Sequence, residues 1–299
     1  MAIMTIPAAL AWLFLAAAAL TAQSLRGVVD LHVHSDPDSV PRSIGAIEVA
    51  RLAKNRGMRA ILLKNHYEST ASLAWIVRSQ APGIEVFGGI ALNRTVGGIN
   101  PAAVARMAAV KGGYGRVVWM PTFDSENQVR RSAEKRPFVP ISRDGRLLPD
   151  VLEVLDLIAK HNLTLATGHS TPAEALLLIS EARRRGVARI IATHAMLPPV
   201  SMNAAEMKQA AAAGAWIEFV YNALIGHTKV FEWPEYAAAI RTVGPDHVIL
   251  TSDLGQAGNP LHPNGLAAFF DGLAERGFTP AEIGVMSRDN PARALGLEP

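Results

Sequence analysis

The sequence predicts an α/β protein of the (β/α)8 barrel class, and three observations carry that reading. From Gly27 onward, short β-branched runs alternate with Ala-rich helical segments. No long Pro/Ser-rich linker interrupts the alternation, so nothing marks an internal domain boundary. Eight such units fit the 299 residues, and a hydrophobic content of 49% fills a core of that size.

Before the barrel, Ile6 to Ala22 form an apolar run rich in Ala and Leu, followed by Gln23 and Ser24. This reads as a secretory signal over residues 1–22 with small Ala22 before the cleavage point, although no Lys or Arg precedes the run. The alternative is an uncleaved N-terminal anchor, since about 17 apolar residues is the short limit for spanning a membrane. The expectation is a periplasmic or secreted protein whose barrel domain occupies residues 27–299.

Candidate strands lie at 28–34, 60–66, 85–92, 116–123, 164–169, 189–195, 216–222 and 248–253. In the first, alternation sets Asp30, His32 and His34 on one face and Val29, Leu31 and Val33 on the other. Ile44, Ile47, Val49 and Leu52 mark a helix over 44–56, stopped by Gly57. Val151, Leu152, Leu155 and Ile158 stripe another over 149–161, and Thr171-Pro172 supplies N-cap and first position of a third, ending at Arg185 before Gly186. Residues 124–148 differ: the segment is long, charged and interrupted by Pro137 and Pro140. Directly after strand four, such a loop reads as a lid or specificity element.

Composition excludes several classes of function. The formal charge of +3 comes from scattered Lys and Arg, and the densest cluster, Arg130-Arg131 to Lys135-Arg136, is broken by Glu134 and lacks interleaved aromatics. It reads as a solvated face, not a nucleic-acid surface. With no cysteine, disulfides, thiolate nucleophiles and thiolate metal sites are ruled out, and any transition metal must take nitrogen and oxygen ligands. Gly88-Gly89, Gly97-Gly98 and Gly112-Gly113 lack the spacing of a phosphate loop, and no Gly-x-Ser-x-Gly elbow is present.

What the sequence does carry is a set of polar residues at strand ends. His169 ends strand five, His194 strand six and Asp253 strand eight. In a barrel the carboxyl ends meet on one face, so these three and His32 and His34 are brought to one rim. Neutral imidazoles and a carboxylate held there suit zinc, iron or manganese.

With His-x-His on strand one, histidines ending strands five and six, an aspartate ending strand eight and a closing Asp289-Asn290-Pro291-Ala292-Arg293-Ala294-Leu295-Gly296-Leu297, the chain resembles the amidohydrolase superfamily of metal-dependent TIM-barrel hydrolases from about Gly27 to its end. The resemblance implies that His32, His34, His169 and Asp253 bind the metal. It implies that Asp253 handles the proton of the attacking water and that His194 binds a metal or polarises that water. One or two divalent ions per chain are expected, zinc first, with manganese or iron as alternatives.

The sequence departs from that pattern on strand four, where Val117-Val118-Trp119-Met120-Pro121-Thr122 offers neither lysine nor glutamate. Strand two instead ends Leu63-Lys64-Asn65-His66. Lys64 is read as an ammonium that holds an anionic substrate, with an unusually placed carbamate ligand as the alternative. His66 shares its face. Arg42 and Arg94, after strands one and three, suit a carboxylate or phosphate, and Asn222 ends strand seven as a further contact. Asp36, Asp38 and His262 are lesser candidates, and His161, His227 and His247 are read as structural.

The expected function is hydrolysis of an amide, cyclic amide or ester bond in a small substrate. A decarboxylase, lactonase or phosphoesterase on the same barrel is the enzyme alternative. A non-catalytic metal- or ligand-binding exported protein is the alternative of another class, against which Asp253 speaks as a proton-handling group. The partner is a small molecule, with a membrane only if the N-terminal segment stays uncleaved, and a homo-oligomer is compatible with the sequence.

Overall fold

Strands buried on both faces need predominantly apolar residues, and that is how the eight runs are composed. The computed structural model describes residues 25–298. Its strands are β1 (Val29–Val33), β2 (Ala60–Leu63), β3 (Glu85–Ala91), β4 (Gly115–Trp119), β5 (Thr164–Ala166), β6 (Arg189–Ala192), β7 (Trp216–Val220) and β8 (Val248–Thr251). They form one 8-stranded sheet in sequence order, each pairing parallel to the next. A parallel bridge between Val33 and Leu254, with His34 N–H donating to Leu254 O at 3.0 Å, joins the last strand to the first. This is the (β/α)8 barrel the alternation predicts.

Inside it, Leu31, Leu62, Phe87, Val117, Trp119 and Ile249 pack as one cluster, separate from the larger layer between sheet and helices. Trp119 fits because β3 carries Gly89 opposite: a Cβ there would lie 2.6 Å from the indole and 2.2 Å from Val117 O. Ala292, Ala294 and Leu295 belong to the same interior cluster. Asn290 Nδ2 donates to Pro245 O and Val248 O at 2.8 Å each, and Thr164 Oγ1 donates to Ala294 O. The closing motif is therefore a stopper at the amino-terminal end of the barrel, away from the strand ends that carry chemistry.

The helices follow their signals. They span Ala46–Asn55, Pro149–Lys160 and Pro172–Arg184, the last with a Thr171/Glu174 capping box. Segment 124–148 folds into a helix, Glu126–Arg131, capped by Ser125, and a small hairpin pairing Ser142–Arg143 with Arg146–Leu147. Two arginines of its basic cluster are ion-paired: Arg130 with Glu126 and Arg136 with Glu134, each at 2.6 Å, and Arg136 also with Asp124.

Two strand readings need correction. Strict alternation fails in β1, because its register with β2 shifts between Asp30 and Val33. Val29 and Leu31 face the interior, Val33 joins the outer layer, and Asp30 Oδ1 accepts from His32 N–H at 3.2 Å and Ser252 N–H at 3.0 Å. A bulge of this kind re-aims the following side chains. Second, the strands end earlier than hydropathy suggests, so His34, Lys64, His66, His169, His194, Asn222 and Asp253 stand in the turns just beyond them.

The N-terminal signal or anchor reading falls on residues 1–22, outside the described residues. Among the described residues no helix is long and apolar enough to cross a membrane.

Candidate metal centre

β1, through His32, and the turns beyond the strands bring five buried imidazoles into a closed ring. Around it, ring centroids lie 5.1 Å apart for His34 and His32, 5.9 Å for His32 and His194, 4.9 Å for His194 and His169, 6.4 Å for His169 and His66, and 4.9 Å for His66 and His34. Asp253 meets two of them: its Oδ1 is 3.0 Å from His32 Nε2 and 3.2 Å from His34 Nε2. One ligand atom from each of His32, His34 and Asp253 falls within 4.8 Å of the others. Two residues that aim into the ring hold backbone conformations that side chains rarely adopt, His194 at φ 26° and Asp253 at φ 49°. Strain of that kind costs about 1–3 kcal/mol per residue and clusters where function demands a particular direction.

For His32 and His34 the hydrogen bond on the far side of the ring fixes where its proton sits. His32 Nδ1 meets Glu218 Oε1 at 3.0 Å and His34 Nδ1 meets the Lys64 carbonyl at 3.1 Å. A carbonyl only accepts, so His34 carries its proton on Nδ1; Glu218, an ionised carboxylate, imposes the same on His32. Both Nε2 lone pairs therefore converge on one carboxylate oxygen. Three electron-rich atoms at that spacing call for positive charge between them; Lys64 Nζ reaches only His32 Nε2, at 2.9 Å, whereas a divalent ion would meet all three, and this is the observation by which the residues fit one. His169 Nδ1 lies 3.0 Å from Gln128 Oε1, turning its Nε2 towards His194 Nε2 at 3.1 Å.

Burial is the largest influence on the charges around the ring. Burial holds His34 down to about 3 and His194 to about 4, and lowers His169 and His66 well below the ordinary histidine value, with neighbouring cationic groups adding to the effect in the latter two. Neutral imidazoles are the form that binds metal. Burial works to raise Asp253 and Glu218, but adjacent imidazoles outweigh it, holding Glu218 at about 2 and Asp253 well below the usual carboxylate range. Lys64 Nζ is 2.9 Å from His32 Nε2 and 5.3 Å from the Trp119 ring centroid, and burial lowers it to about 8.

The other sequence candidates divide. Asn222 Nδ2 reaches Asp253 Oδ2 at 3.5 Å, while its Oδ1 accepts from Thr228 Oγ1 at 2.5 Å and from Asn259 Nδ2 at 3.1 Å. It braces the aspartate. Arg42 grips Asp38 through Nε at 2.8 Å and a terminal nitrogen at 2.7 Å, stapling the loop after β1. Arg94 is exposed and stands apart from the ring, its backbone N–H bound to Asp124. His262 Nε2 donates to Leu254 O at 2.7 Å, at the barrel seam. His161, His227 and His247 lie exposed on the surface.

Glu218 is the residue that strand-end reading passes over. It sits inside β7, where it accepts from His32 Nδ1, from Thr251 Oγ1 at 2.9 Å and from the His194 backbone N–H at 2.9 Å. A lone carboxylate between Ile217 and Phe219 on a strand with two buried faces is the signal that would have found it. Gln128 and Asn127, from segment 124–148, hold His169 by its ring and its carbonyl. That segment thus buttresses the ring.

Three comparisons set this geometry in context. A family model described as a family of unknown function (DUF6282) matches residues 27–218, more than half of the chain. No curated protein matches the sequence. Among solved structures, the organophosphorus hydrolase from Deinococcus radiodurans is similar at 18% identity and a TM-score of 0.62, covering 92% of this chain and 94% of that one. A structure described as the engineering of organophosphate hydrolysis activity from a weak promiscuous lactonase template aligns at 18% identity and a TM-score of 0.62, covering 92% of this chain and 97% of that one. At that identity the likeness is one of fold.

Proposed function

We propose, for a chain that belongs to the DUF6282 family of unknown function, a metal-dependent hydrolase that directs a water at an ester, lactone or amide bond of a small, anionic substrate. The observation that carries this reading is the convergence of the His32 and His34 Nε2 lone pairs on Asp253 Oδ1 among buried side chains. His32, His34 and Asp253 would hold the ion, with His169 and His194, whose Nε2 atoms meet at 3.1 Å, completing the ring beside them. A divalent ion there supplies Lewis acidity, lowering the pKa of a water towards about 7 and polarising the bond to be cut.

The protein's own groups do the remaining work. Asp253 carries two oxygens; Oδ1 faces the histidines, and the carboxylate takes the proton of the water and returns it to the leaving group. Glu218 keeps His32 in the tautomer that ligation requires. Lys64, an ammonium in this reading, offers its charge to the substrate's anionic group from the interior face. The organophosphorus hydrolase and lactonase descriptions of the similar folds support the ester among the amide, cyclic amide and ester bonds expected from the sequence, together with the lactone and phosphoester alternatives. Zinc is the first candidate metal. Export rests on the apolar N-terminal run alone.

The test is elemental analysis of purified protein with a screen of lactones, carboxylic esters, amides and phosphotriesters. Bound transition metal and chelator-sensitive turnover are expected, and absence of both would sink the proposal. Asp253→Asn should lower kcat by about 10²–10⁴-fold, the range for loss of a positioned general base. In Lys64→Ala, KM should rise with metal content unchanged; loss of metal, restored by a short carboxylic acid, would make Lys64 a carbamate ligand instead.

A further inference from the structure

Among the five imidazoles, His66 is wired in the opposite sense to its neighbours. Asn93, buried at the end of β3, settles this. Its Oδ1 accepts from the Thr122 N–H at 2.9 Å and the Asp124 N–H at 3.2 Å, which leaves Nδ2 to donate to the His66 carbonyl at 2.7 Å and to Thr122 Oγ1 at 2.6 Å. No flip of that amide satisfies four partners so well. Thr122 Oγ1 is thereby an acceptor towards Asn93, and among the described residues its own proton has one acceptor within reach, His66 Nδ1 at 2.8 Å. An Nδ1 that accepts carries no hydrogen, so the His66 proton is on Nε2. His32 and His34 show the reverse, with protons on Nδ1 and lone pairs on Nε2.

His66 Nε2 has no hydrogen-bond partner among the described residues, yet it is not sealed in the interior. The ring is clamped between His34, at 4.9 Å and 20°, and Phe123, at 4.0 Å and 27°. Phe123 is itself 38% exposed, so this clamp stands at the mouth of the ring. A protonated Nε2 offers no lone pair to a metal, and a clamped N–H beside a metal centre is a preorganised donor.

We propose that His66 is the substrate-facing hydrogen-bond donor of this centre, held in its Nε2–H tautomer by Asn93 acting through Thr122, and that it binds the acyl or phosphoryl oxygen on which negative charge builds. Thr122 and Asn93 are positioning residues. The substrate role rests on the hydrolase reading above; the tautomer does not.

Two measurements test it. Long-range ¹H–¹⁵N correlation spectra of metal-free protein labelled at histidine, with His66 assigned from a His66→Phe variant, should show the Nε2–H pattern, kept in Thr122→Ser and lost in Thr122→Val. In the metal-loaded enzyme, Thr122→Val should lower kcat by about 10-fold at unchanged KM and metal content, as for other partners that orient a working group. Thr122→Ser should restore it, and His66→Phe should lower kcat by about 10²–10³-fold, as when a donor to a developing oxyanion is removed. An Nδ1–H spectrum for the wild type overturns the wiring, and the wild-type spectrum decides this even if the valine variant fails to fold. The expected spectrum with unchanged kcat in His66→Phe overturns the substrate role. A wild type that turns over no ester, lactone, amide or phosphotriester with metal bound brings down the hydrolase reading and the substrate role together, while the spectrum still decides the wiring.

Discussion

Glu218 is a carboxylate buried in a strand, a placement that costs several kcal/mol unless donors meet it. Three do, and two of them lead directly into the ring: the His32 imidazole and the His194 backbone. Glu218→Gln keeps shape but turns an amide N–H₂ towards one of these donors, so His32 loses its tautomer preference or His194 loses its anchor. Metal affinity should fall about 10–100-fold, read by competition with a chromogenic chelator, with the fold retained by circular dichroism. At this scale the sequence was informative where chemistry coincides with a strand end. His32, His34, His169, His194 and Asp253 all stand out there, and all reach the ring. Glu218, Asn93 and Thr122 do not stand out, because their roles depend on which strand lies opposite at which register, and one sequence does not print cross-strand register. Arg42 illustrates the other error: a cation in a promising loop was aimed at its own neighbour, Asp38, four positions away.

The elements that matter most are the turns after the strands. Hydropathy reads strand and turn as one run, since both are buried, and so placed the ligands on strands rather than past them. The turn after β5 shows why the difference has consequences. Gly168 sits at φ +62°, and a Cβ there would lie 2.3 Å from Met120 O and 2.6 Å from Pro121 O. The same turn lets His169 N–H donate to Pro121 O at 2.9 Å, tying it to the chain after β4. Gly168→Ala must push these backbones apart. A loss of about 1–3 kcal/mol in denaturant unfolding is expected, as for other overpacked sites, together with weakened metal retention because His169 moves. Wild-type stability in that variant would show that the turn yields without cost. The β1 bulge belongs to the same scale: alternation predicted which strand would carry the pair of histidines, but not the extra residue that turns Val33 outward.

For the molecule as a whole, burying so many neutral histidines links stability to pH. In the unfolded chain a histidine takes its proton near 6.5, whereas in the fold burial holds His34 to about 3 and His194 and His262 to about 4. Between those limits the unfolded state binds more protons, so stability rises with pH across the window and is lost as pH falls from 6.5 towards 4. Above 6.5 these groups contribute no slope. Melting temperature measured with chelator present should therefore decline steadily below pH 6.5, and a flat profile down to pH 4 would mean that the ring opens to water. The barrel class itself was legible because eight apolar runs spaced by helical segments admit few arrangements. The seam was not, since Val33 and Leu254 carry no mark of being neighbours.

That seam also sets an order in time. His32 and His34 leave the ribosome before Asp253, and Asp253 before the Asn290 to Leu295 stopper. Contacts between opposite ends of a chain form last and slowly, because loop closure precedes any reward. A chain still short of Asp253 thus holds the imidazoles of the ring but not the carboxylate oxygen on which His32 and His34 converge, so that group of three is complete only once the first and last strands of the barrel meet.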